Sequence, residues 1–459
     1  MTKRIFVALS LTLLACTAFH SSARAQTTAQ PGESSSPSAI PAGWRAQGLE
    51  PISYIEVLPG SLRAFKMSMK RVGDAWYLFV ATGARGKGGF EVFDVTDPTK
   101  PSRVSSVEVP GSAGQITVGD NLAIIAQQRP YAEHSVQEKP FDGIAAEPRP
   151  LATIFDVSDP RNPKKVSEWI ASGWGTHRNT YPGGRYAYMS AWVEGFKGQA
   201  TMVVLDLKDP ANPVAVGGWW QPGQKDGEPD RPTPNGFHGP VNINPAENLL
   251  TTAYTPELVN LDITDPAKPK LIGSLTFSPL PDVGAQAMHT ALPMRNGMMH
   301  VNSEPSKPGC GAENMSFAGI VDNSNPAAPV LVSYYPRPTP PADSGIASFC
   351  EESGRFGPHN VNGESHSPYL KDASEDDLVY MTYFTAGLRV YDVHDPFAPK
   401  ETGWFLPSFD PAGPSRGLED VIVDTRNVVY ASNGLGRGVW LLRPTGDGAI
   451  SETNTKTGN

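Results

Sequence analysis

The sequence predicts an all-β fold built from repeated units, and three observations support this. The 459 residues include 45 Gly and 45 Pro, and both residue types disfavour helix interiors. One nine-residue phrase recurs six times, which is typical of repeat architectures. Short alternating apolar segments flank each copy, as expected for half-buried strands. Four such strands in each repeat of about 60 residues would form one blade of a β-propeller.

The repeated phrase combines the end of an apolar strand with a turn. Its copies are FDVTDPTKP from Phe93, FDVSDPRNP from Phe155, LDLKDPANP from Leu205, LDITDPAKP from Leu261, VDNSNPAAP from Val321 and YDVHDPFAP from Tyr391. An Asp side chain can accept a hydrogen bond from the backbone amide two residues on, and Pro presets φ for a turn. A residue that recurs in every unit is explained by the unit, so we expect a structural role for these acids. They are Asp94, Asp156, Asp206, Asp262 and Asp392.

The N-terminus has the pattern of a secretory signal peptide over residues 1–25. Two cations precede an apolar stretch, and a small-x-small cleavage pattern follows it. The stretch is shorter than the roughly 20 residues that a membrane span requires, and no later apolar segment is long enough to cross a bilayer. We therefore predict a periplasmic or secreted protein without a transmembrane span. Lipoprotein anchoring at Cys16 is the alternative.

The rest of the chain divides into three predicted segments. Residues 26–49 begin with a Ser-, Pro-, Thr- and Gln-rich stretch and are predicted to form a flexible tether. Residues 50–445 contain the repeats, and residues 446–459 are predicted to be a disordered tail. The formal net charge of -9 argues against nucleic acid or anionic lipid as the main partner.

Three cysteines occur in the sequence, and one of them lies within the predicted signal peptide. If Cys16 leaves with that peptide, Cys310 and Cys350 remain as an even pair. Cysteines that pass through an oxidising compartment usually pair. The two residues lack the local spacing of a zinc motif, so we predict a disulfide between them.

The two ends of the chain indicate how the propeller closes. After the sixth copy, residues 418–443 supply three strands and end without the turn phrase. A fourth strand is available near the N-terminus, where SYIEVLPG at 53–60 resembles the outer strands. Pairing these segments would close the ring and remove two exposed sheet edges. We therefore predict a seven-bladed β-propeller with mixed-terminus ring closure; six or eight blades are the alternatives.

The repeated phrase resembles that of the LVIVD-repeat proteins, a family of exported or surface propellers. The resemblance covers nearly all of residues 50–445 and is especially close at 378–407. The copy from Val321 departs from the pattern at Asn323 and Asn325. The resemblance implies a propeller fold and export. It implies little about activity, because one fold supports many unrelated functions.

Four of the nine histidines begin successive predicted inner strands, where they would ring the top of the central channel. They are His177, His238, His289 and His359. The equivalent positions of two other units hold Gln115 and Glu419–Asp420. Neutral imidazole is a common ligand of transition metals, so we predict a metal site with iron or copper favoured over zinc. Metal-binding propellers such as the carotenoid oxygenases and the copper-linked methanethiol oxidases offer an analogy; channel packing by these histidines is the alternative.

Glu304 is the predicted catalytic residue, because its carboxylate is expected near the histidine ring as a general base or a partner to His. Most long insertions fall on the same face, where we expect a small organic molecule to bind. The leading prediction is a metal-dependent enzyme, with an oxidoreductase favoured over lyase or hydrolase chemistry. The alternative is a non-catalytic propeller that binds a protein or a glycan through this face.

Overall fold

A computed structural model describes the chain over residues 29–31, 38–59, 63–84, 87–128, 147–230, 236–277, 288–342, 344–407, 417–433 and 438–446. The predicted signal peptide with Cys16, the first part of the predicted tether and the predicted tail after residue 446 lie outside these ranges. Within them, no helix is long and apolar enough to cross a membrane.

The described residues form short strands connected by turns and loops. In chain order the strands are β1 (Ala29–Pro31), β2 (Arg45–Gln47), β3 (Leu49–Glu56), β4 (Ala64–Val72), β5 (Ala75–Ala84), β6 (Lys87–Asp94), β7 (Ser102–Glu108), β8 (Ser112–Gly119), β9 (Leu122–Gln127), β10 (Pro148–Asp156), β11 (Lys164–Thr176), β12 (Tyr186–Val193), β13 (Thr201–Asp206), β14 (Val214–Trp219), β15 (Gly236–Asn244), β16 (Leu249–Thr255), β17 (Glu257–Asp262), β18 (Lys270–Thr276), β19 (Met288–Pro293), β20 (Met298–Ser303), β21 (Ala318–Asp322), β22 (Val330–Tyr334), β23 (Leu378–Thr382), β24 (Leu388–Asp392), β25 (Lys400–Leu406), β26 (Asp420–Val423), β27 (Val429–Ser432) and β28 (Gly438–Pro444). One helical turn, α1, covers Ala373–Asp376, and a 3-10 turn covers Arg295–Gly297.

These strands form six antiparallel sheets. Sheet I has the order β1-β7-β6-β5-β4, sheet II runs from β14 to β8, sheet III contains β15 to β18, and sheet IV contains β19 to β22. Sheet V has the order β2-β25-β24-β23, and sheet VI has the order β26-β27-β28-β3. Five of the described sheets have the four or five strands of a single blade, whereas sheet II is continuous over seven strands. The all-β propeller fold is therefore present, but the prediction of seven blades is wrong.

Sheet II is continuous because β11 pairs with a neighbour on each side. Its first part pairs with β10, and its last residues pair with β12, where Thr176 lies opposite Ala191. A register shift between Gly173 and Gly175 marks the transition. A Cβ at Gly175 would lie 2.2 Å from the carbonyl oxygen of Gln127, so glycine allows the backbones to approach closely enough for the strand to continue.

The first and last segments of the repeat region pair with each other as predicted. β3 lies antiparallel to β28, with Tyr54 opposite Trp440 and their rings 5.0 Å apart. Part of the tether predicted over residues 26–49 forms a strand, because β2 pairs with β25 and Ala46 lies opposite Phe405. Backbone pairing to an open sheet edge satisfies the polar groups of this segment.

Apolar side chains fill the spaces between neighbouring sheets. Leu78 of sheet I and Leu441 of sheet VI are fully buried in one cluster, which joins the first sheet to the last. Phe90 of sheet I packs edge-on against Phe155 of sheet II with their ring centroids 5.3 Å apart. Burial of alternate strand residues against the next sheet is the main stabilising contribution in such an array.

Each copy of the repeated phrase forms the same turn. Asp156 accepts a hydrogen bond from the Ser158 amide at 2.8 Å, and Asp159 accepts one from the Arg161 amide at 3.0 Å. The first acids of the other copies accept the equivalent bond. The structural role predicted for the repeated acids is thus confirmed, and the altered copy keeps the turn because Asn325 accepts in place of Asp.

Hydrogen bonds to the same turns connect neighbouring groups of strands around the propeller. In five of the six copies a polar side chain from the preceding array donates to the carbonyl of the first proline of the turn. The pairs are Ser53 with Pro98 at 2.6 Å, Ser105 with Pro160 at 2.9 Å, Ser167 with Pro210 at 2.6 Å, Asn260 with Pro326 at 2.9 Å and Ser333 with Pro396 at 2.6 Å.

Candidate metal centre in the central channel

The inner strands of the propeller surround a cavity of about 240 Å³. Neighbouring inner strands contact each other around it, as β4 does with β8 and β26, and β15 with β19. The predicted site residues all line this cavity, together with two residues that the sequence places at equivalent positions. They are His177, His238, His289, His359 and Glu304, with Gln115 and Glu419.

Rigid strands hold most of these side chains. His238 lies within β15 and His289 within β19, and Glu304 follows the last residue of β20. His359 lies outside the described strands. Its amide donates to the carbonyl of Thr382, the last residue of β23, at 2.9 Å. The site is therefore assembled from three different sheets, which favours a preorganised geometry.

Three imidazoles direct their Nε2 atoms toward the carboxylate of Glu304. The Nε2 to carboxylate oxygen distances are 3.9 Å for His238, 4.0 Å for His289 and 3.6 Å for His359. One ligand atom from each of His238, His289 and Glu304 lies within 4.8 Å of the other two. Donors that share one transition-metal ion at about 2.1 Å are roughly 3 to 4 Å apart. These three residues therefore fit a metal ion after a small contraction. His359 lies outside this group of three and approaches it at Glu304, 3.6 Å from its Nε2.

The other ring nitrogens of two of these histidines face backbone carbonyls. His238 Nδ1 lies 3.1 Å from the carbonyl oxygen of His289, and His359 Nδ1 lies 2.7 Å from that of Glu419. Because a carbonyl oxygen only accepts hydrogen bonds, Nδ1 of His359 carries the proton, and the lone pair of this neutral ring is on Nε2. His238 Nδ1 also lies 2.8 Å from Arg178 Nη1, which only donates, so its two contacts favour opposite tautomers.

The Nδ1 atom of the third ring, His289, faces a hydroxyl oxygen in place of a carbonyl. His289 Nδ1 lies 2.8 Å from Thr290 Oγ1, and that hydroxyl donates to Glu364 Oε1 at 2.8 Å. The hydroxyl proton is committed to the carboxylate, so the oxygen accepts from His289 Nδ1. The oxygen contacts of His289 and His359 therefore favour Nε2 as the free ligand atom, as is common for metal-bound histidines with an oxygen partner behind them.

Burial controls protonation in the cluster. Desolvation lowers the pKa of His238, His289 and His359 well below 6.5, and nearby arginine charges lower it further. The rings are therefore neutral at pH 7 and free to bind a cation. Desolvation raises the pKa of Glu304, which Arg355 opposes from 3.2 Å. A cation beside Glu304 would favour its charged form.

His177 lies beside this cluster and not within it. Its ring centroid is 5.5 Å from that of His238, and no described residue forms a hydrogen bond with its buried Nδ1. Desolvation and the charges of Arg178 and Arg63 lower the pKa of His177 to about 3. The structure therefore separates the fourth predicted ligand from the other three and leaves a neutral ring at the edge of the cavity.

A buried ion network beneath the histidines contains a residue that sequence reasoning missed. Glu364 pairs with Arg178 and with Lys66 at 2.5 Å, and Lys66 also pairs with Asp420 at 2.8 Å. Burial would raise the pKa of Glu364, but the two cations more than reverse this and lower it to about 2. Glu364 does not belong to the repeated pattern of the sequence. Its position five residues after His359 was the signal from which it could have been predicted to lie near the site.

Arg178 connects this network to the candidate ligands. Its Nη1 group donates to the carbonyl of His289 at 2.6 Å and to that of Gly239 at 2.9 Å. The same Nη1 atom also lies 2.8 Å from His238 Nδ1 and 3.1 Å from His289 Nδ1. Because a guanidinium only donates, these contacts favour an unprotonated Nδ1 and oppose the contacts of the two rings with oxygen atoms. Arg178 therefore holds the backbone on which two of the histidines lie.

The predicted disulfide is present and lies close to the site. Cys310 and Cys350 are bonded across a sequence separation of 40. The amide of Gly309 also donates to the carbonyl of Gly354 at 2.9 Å. These contacts join the segment that follows Glu304 to the segment that carries Arg355, and Arg355 pairs with Glu304.

Residues 319–336 match the model of the LVIVD repeat. The chain contains an LVIVD repeat. The matched residues include most of β21, all of β22 and the phrase from Val321, the copy with the two asparagines, so the LVIVD resemblance is confirmed for this repeat. The comparison with curated proteins gives no match.

Three solved structures are similar over most of the chain. A hypothetical selenium-binding protein from Sulfolobus tokodaii is 15% identical, with a TM-score of 0.48 over 82% of this chain and 83% of that one. A protein from Lactobacillus plantarum is 12% identical, with a TM-score of 0.46 over 80% and 91%. The WD40 β-propeller domain of Doa1 is 11% identical, with a TM-score of 0.48 over 88% and 100%. These TM-scores lie below 0.5, too low for an inference about this chain.

Proposed function

We propose that this protein is a metal-dependent enzyme whose ion is bound by His238, His289, His359 and Glu304. The observation that carries the proposal is the convergence of three neutral imidazoles on one carboxylate, with each Nε2 within 4.0 Å of a Glu304 oxygen. Histidines that only packed the channel would have no need to face one acid. His177 lies outside the proposed ligand set.

The donor set favours iron, with copper second and zinc third. Imidazole suits all three metals, and a carboxylate oxygen is a harder donor that suits iron better than reduced copper. When bound, such an ion would supply redox or Lewis-acid chemistry, so an oxidoreductase acting on a small organic substrate is the favoured class. The 240 Å³ cavity limits the part of the substrate that enters to a small group.

The protein residues around the site have separable tasks in this proposal. Arg355 holds one Glu304 oxygen at 3.2 Å and so fixes the direction of the carboxylate. The backbone carbonyl of Glu419 accepts from His359 Nδ1, and the hydroxyl of Thr290 accepts from His289 Nδ1. His177 has a neutral ring beside the cluster, and its pKa of about 3 makes it a weak proton acceptor at pH 7.

Export to the periplasm or the cell exterior is part of the proposal. The Cys310–Cys350 disulfide supports it, because such bonds persist in oxidising compartments. The N-terminal pattern of cations, apolar residues and a small-x-small site points the same way.

Elemental analysis by mass spectrometry tests the metal site. The protein would be purified without a histidine tag, beside a His238→Ala, His289→Ala double variant. We expect near-stoichiometric iron, copper or zinc in the wild type and loss of the metal in the double variant. His300→Ala is the matched control, because His300 is buried against Tyr335 and Asn302 outside the cluster, and it should keep the metal.

Circular dichroism would verify that each variant is folded. A folded wild type that contains no metal and takes up none on reconstitution would contradict the proposal. The cluster would then be channel packing, and a non-catalytic propeller that binds a protein or a glycan would become the better account.

A further inference from the structure

The cavity contains an arginine that the proposed metal site does not use. Arg63 donates from Nε to the carbonyl of Gly83 at 3.1 Å, and its guanidinium lies 4.5 Å from the centre of the Phe65 ring. Within the described residues it forms no ion pair. The other two cavity arginines have carboxylate partners: Arg178 pairs with Glu364 and Arg355 pairs with Glu304.

This difference leaves a positive charge at one side of the cavity. Arg355 lies between Glu304 at 3.2 Å and Glu419 at 3.7 Å, so both acids that line the cavity face a cation already. Arg63 is partly buried, where its attraction for an anion is stronger than in bulk water. A guanidinium can bind a carboxylate through two parallel hydrogen bonds, which gives strength and orientation.

The wall beside Arg63 contains one aromatic ring, that of Phe65, in a lining that is otherwise largely polar. Phe65 is buried and lines the cavity, and its ring is stacked on that of His359 with centroids 6.4 Å apart. Arg63 is also close enough to His177 for its charge to contribute to the lowered pKa of that ring. A molecule held by Arg63 would therefore lie along Phe65, between His177 and His359, with its far end toward Glu304.

We propose that the cavity binds a small aromatic carboxylate, with its carboxylate group paired to Arg63 and its ring against Phe65. The role of this molecule as a substrate rests on the proposed function, whereas its binding does not require the ion. The volume of about 240 Å³ suits a single ring. Arg63 is the residue that selects for the negative charge.

Isothermal titration of the full-length protein with benzoate tests the inference, and benzamide serves as the neutral probe of equal shape. Loss of one charge-assisted, bidentate contact lowers affinity by about 10-fold or more. We expect Arg63→Gln to bind benzoate with an affinity lowered by this factor, and the wild type to bind benzamide equally weakly. Arg63→Lys should recover part of the benzoate affinity.

Arg71→Gln is the matched control. Arg71 lies near the end of β4, the strand that begins directly after Arg63. It stacks over Trp76 at 5.7 Å and pairs with Asp74 at 2.9 Å, and it does not line the cavity. Its benzoate affinity should equal that of the wild type. Equal benzoate binding by wild type and Arg63→Gln, or no binding by the wild type, would overturn the inference.

Metal content measured on the same samples separates this inference from the proposed function. Arg63→Gln should contain as much metal as the wild type, because Arg63 contacts none of the proposed ligands. A metal-free wild type that binds benzoate through Arg63 would leave the anion site standing and remove the metal site. A metal-loaded wild type that binds no benzoate would leave the metal site standing and remove the anion site.

Discussion

Replacing Glu364 with glutamine would measure how strongly the ion network beneath the histidines stabilises the fold. The Glu364 side chain is 1% exposed, and its partners Lys66 and Arg178 are 7% and 4% exposed. Glutamine keeps the shape of the side chain and removes the charge. Lys66 would keep Asp420 as a partner, whereas Arg178 would lose the one carboxylate with which it pairs among the described residues. Removing one partner of a buried ion pair typically costs about 3–5 kcal/mol.

The pKa of Glu364 gives a second value for the same quantity. Its pKa falls from 4.5 to about 2 in the folded protein, and a shift of this size corresponds to about 3 kcal/mol. The two values agree, so we expect Glu364→Gln to lower the free energy of unfolding by about 3 kcal/mol at pH 7.

The pH dependence of this loss has a definite sign. Because the folded pKa of Glu364 lies below its unfolded value, the carboxylate stabilises the fold fully above about pH 4.5. That stabilisation disappears as the pH falls toward about 2, where the group is protonated in both states. The difference in stability between wild type and Glu364→Gln should therefore shrink across this window.

Urea unfolding followed by tryptophan fluorescence, at pH 7 and at several lower pH values, is the assay. Glu168→Gln is the control, because Glu168 pairs with Lys165 at 2.7 Å at the surface, where such pairs contribute at most about 1 kcal/mol. A Glu364→Gln variant within about 1 kcal/mol of wild type at pH 7, or a difference that grows on acidification, would refute the reasoning.

Two further predictions concern the contacts that hold the loops and sheets together. Cys310→Ser should lower the free energy of unfolding by about 4 kcal/mol, because the disulfide closes a long loop in the unfolded chain; thermal unfolding measures this, and reduction of the wild type should give the same loss. Ser333→Ala should lower the free energy of unfolding by about 1 kcal/mol, because the hydrogen bond to the Pro396 carbonyl is lost. Urea unfolding measures this change, and unchanged stability would contradict it.

The repeated phrase could be recognised in the sequence because the chemistry of each turn is local. Asp156 and Asp159 bond amides two residues away, so the residues that form the turn are also neighbours in the chain. The same is true of strand alternation, and hence the all-β fold was predictable. The closing pair of β3 and β28 followed from counting strands at the two ends.

The blade count was not predictable in the same way. Whether β11 ends one sheet or continues into the next depends on how closely its backbone approaches those of β9 and β12 at Gly173 and Gly175. The sequence GWGT permits both arrangements. Packing of the neighbouring strands decided between them.

By itself the sequence determined the repeat and its turns, and it placed His238 and His289 near the starts of inner strands, whereas His177 follows the end of β11 and His359 lies outside the described strands. Only the tertiary structure decided that His238, His289 and His359 approach Glu304 while His177 lies apart. It also decided that Glu364 lies under the site. The physical reason is that these contacts join residues from different sheets, and their distances depend on the curvature of the whole ring and not on any local pattern.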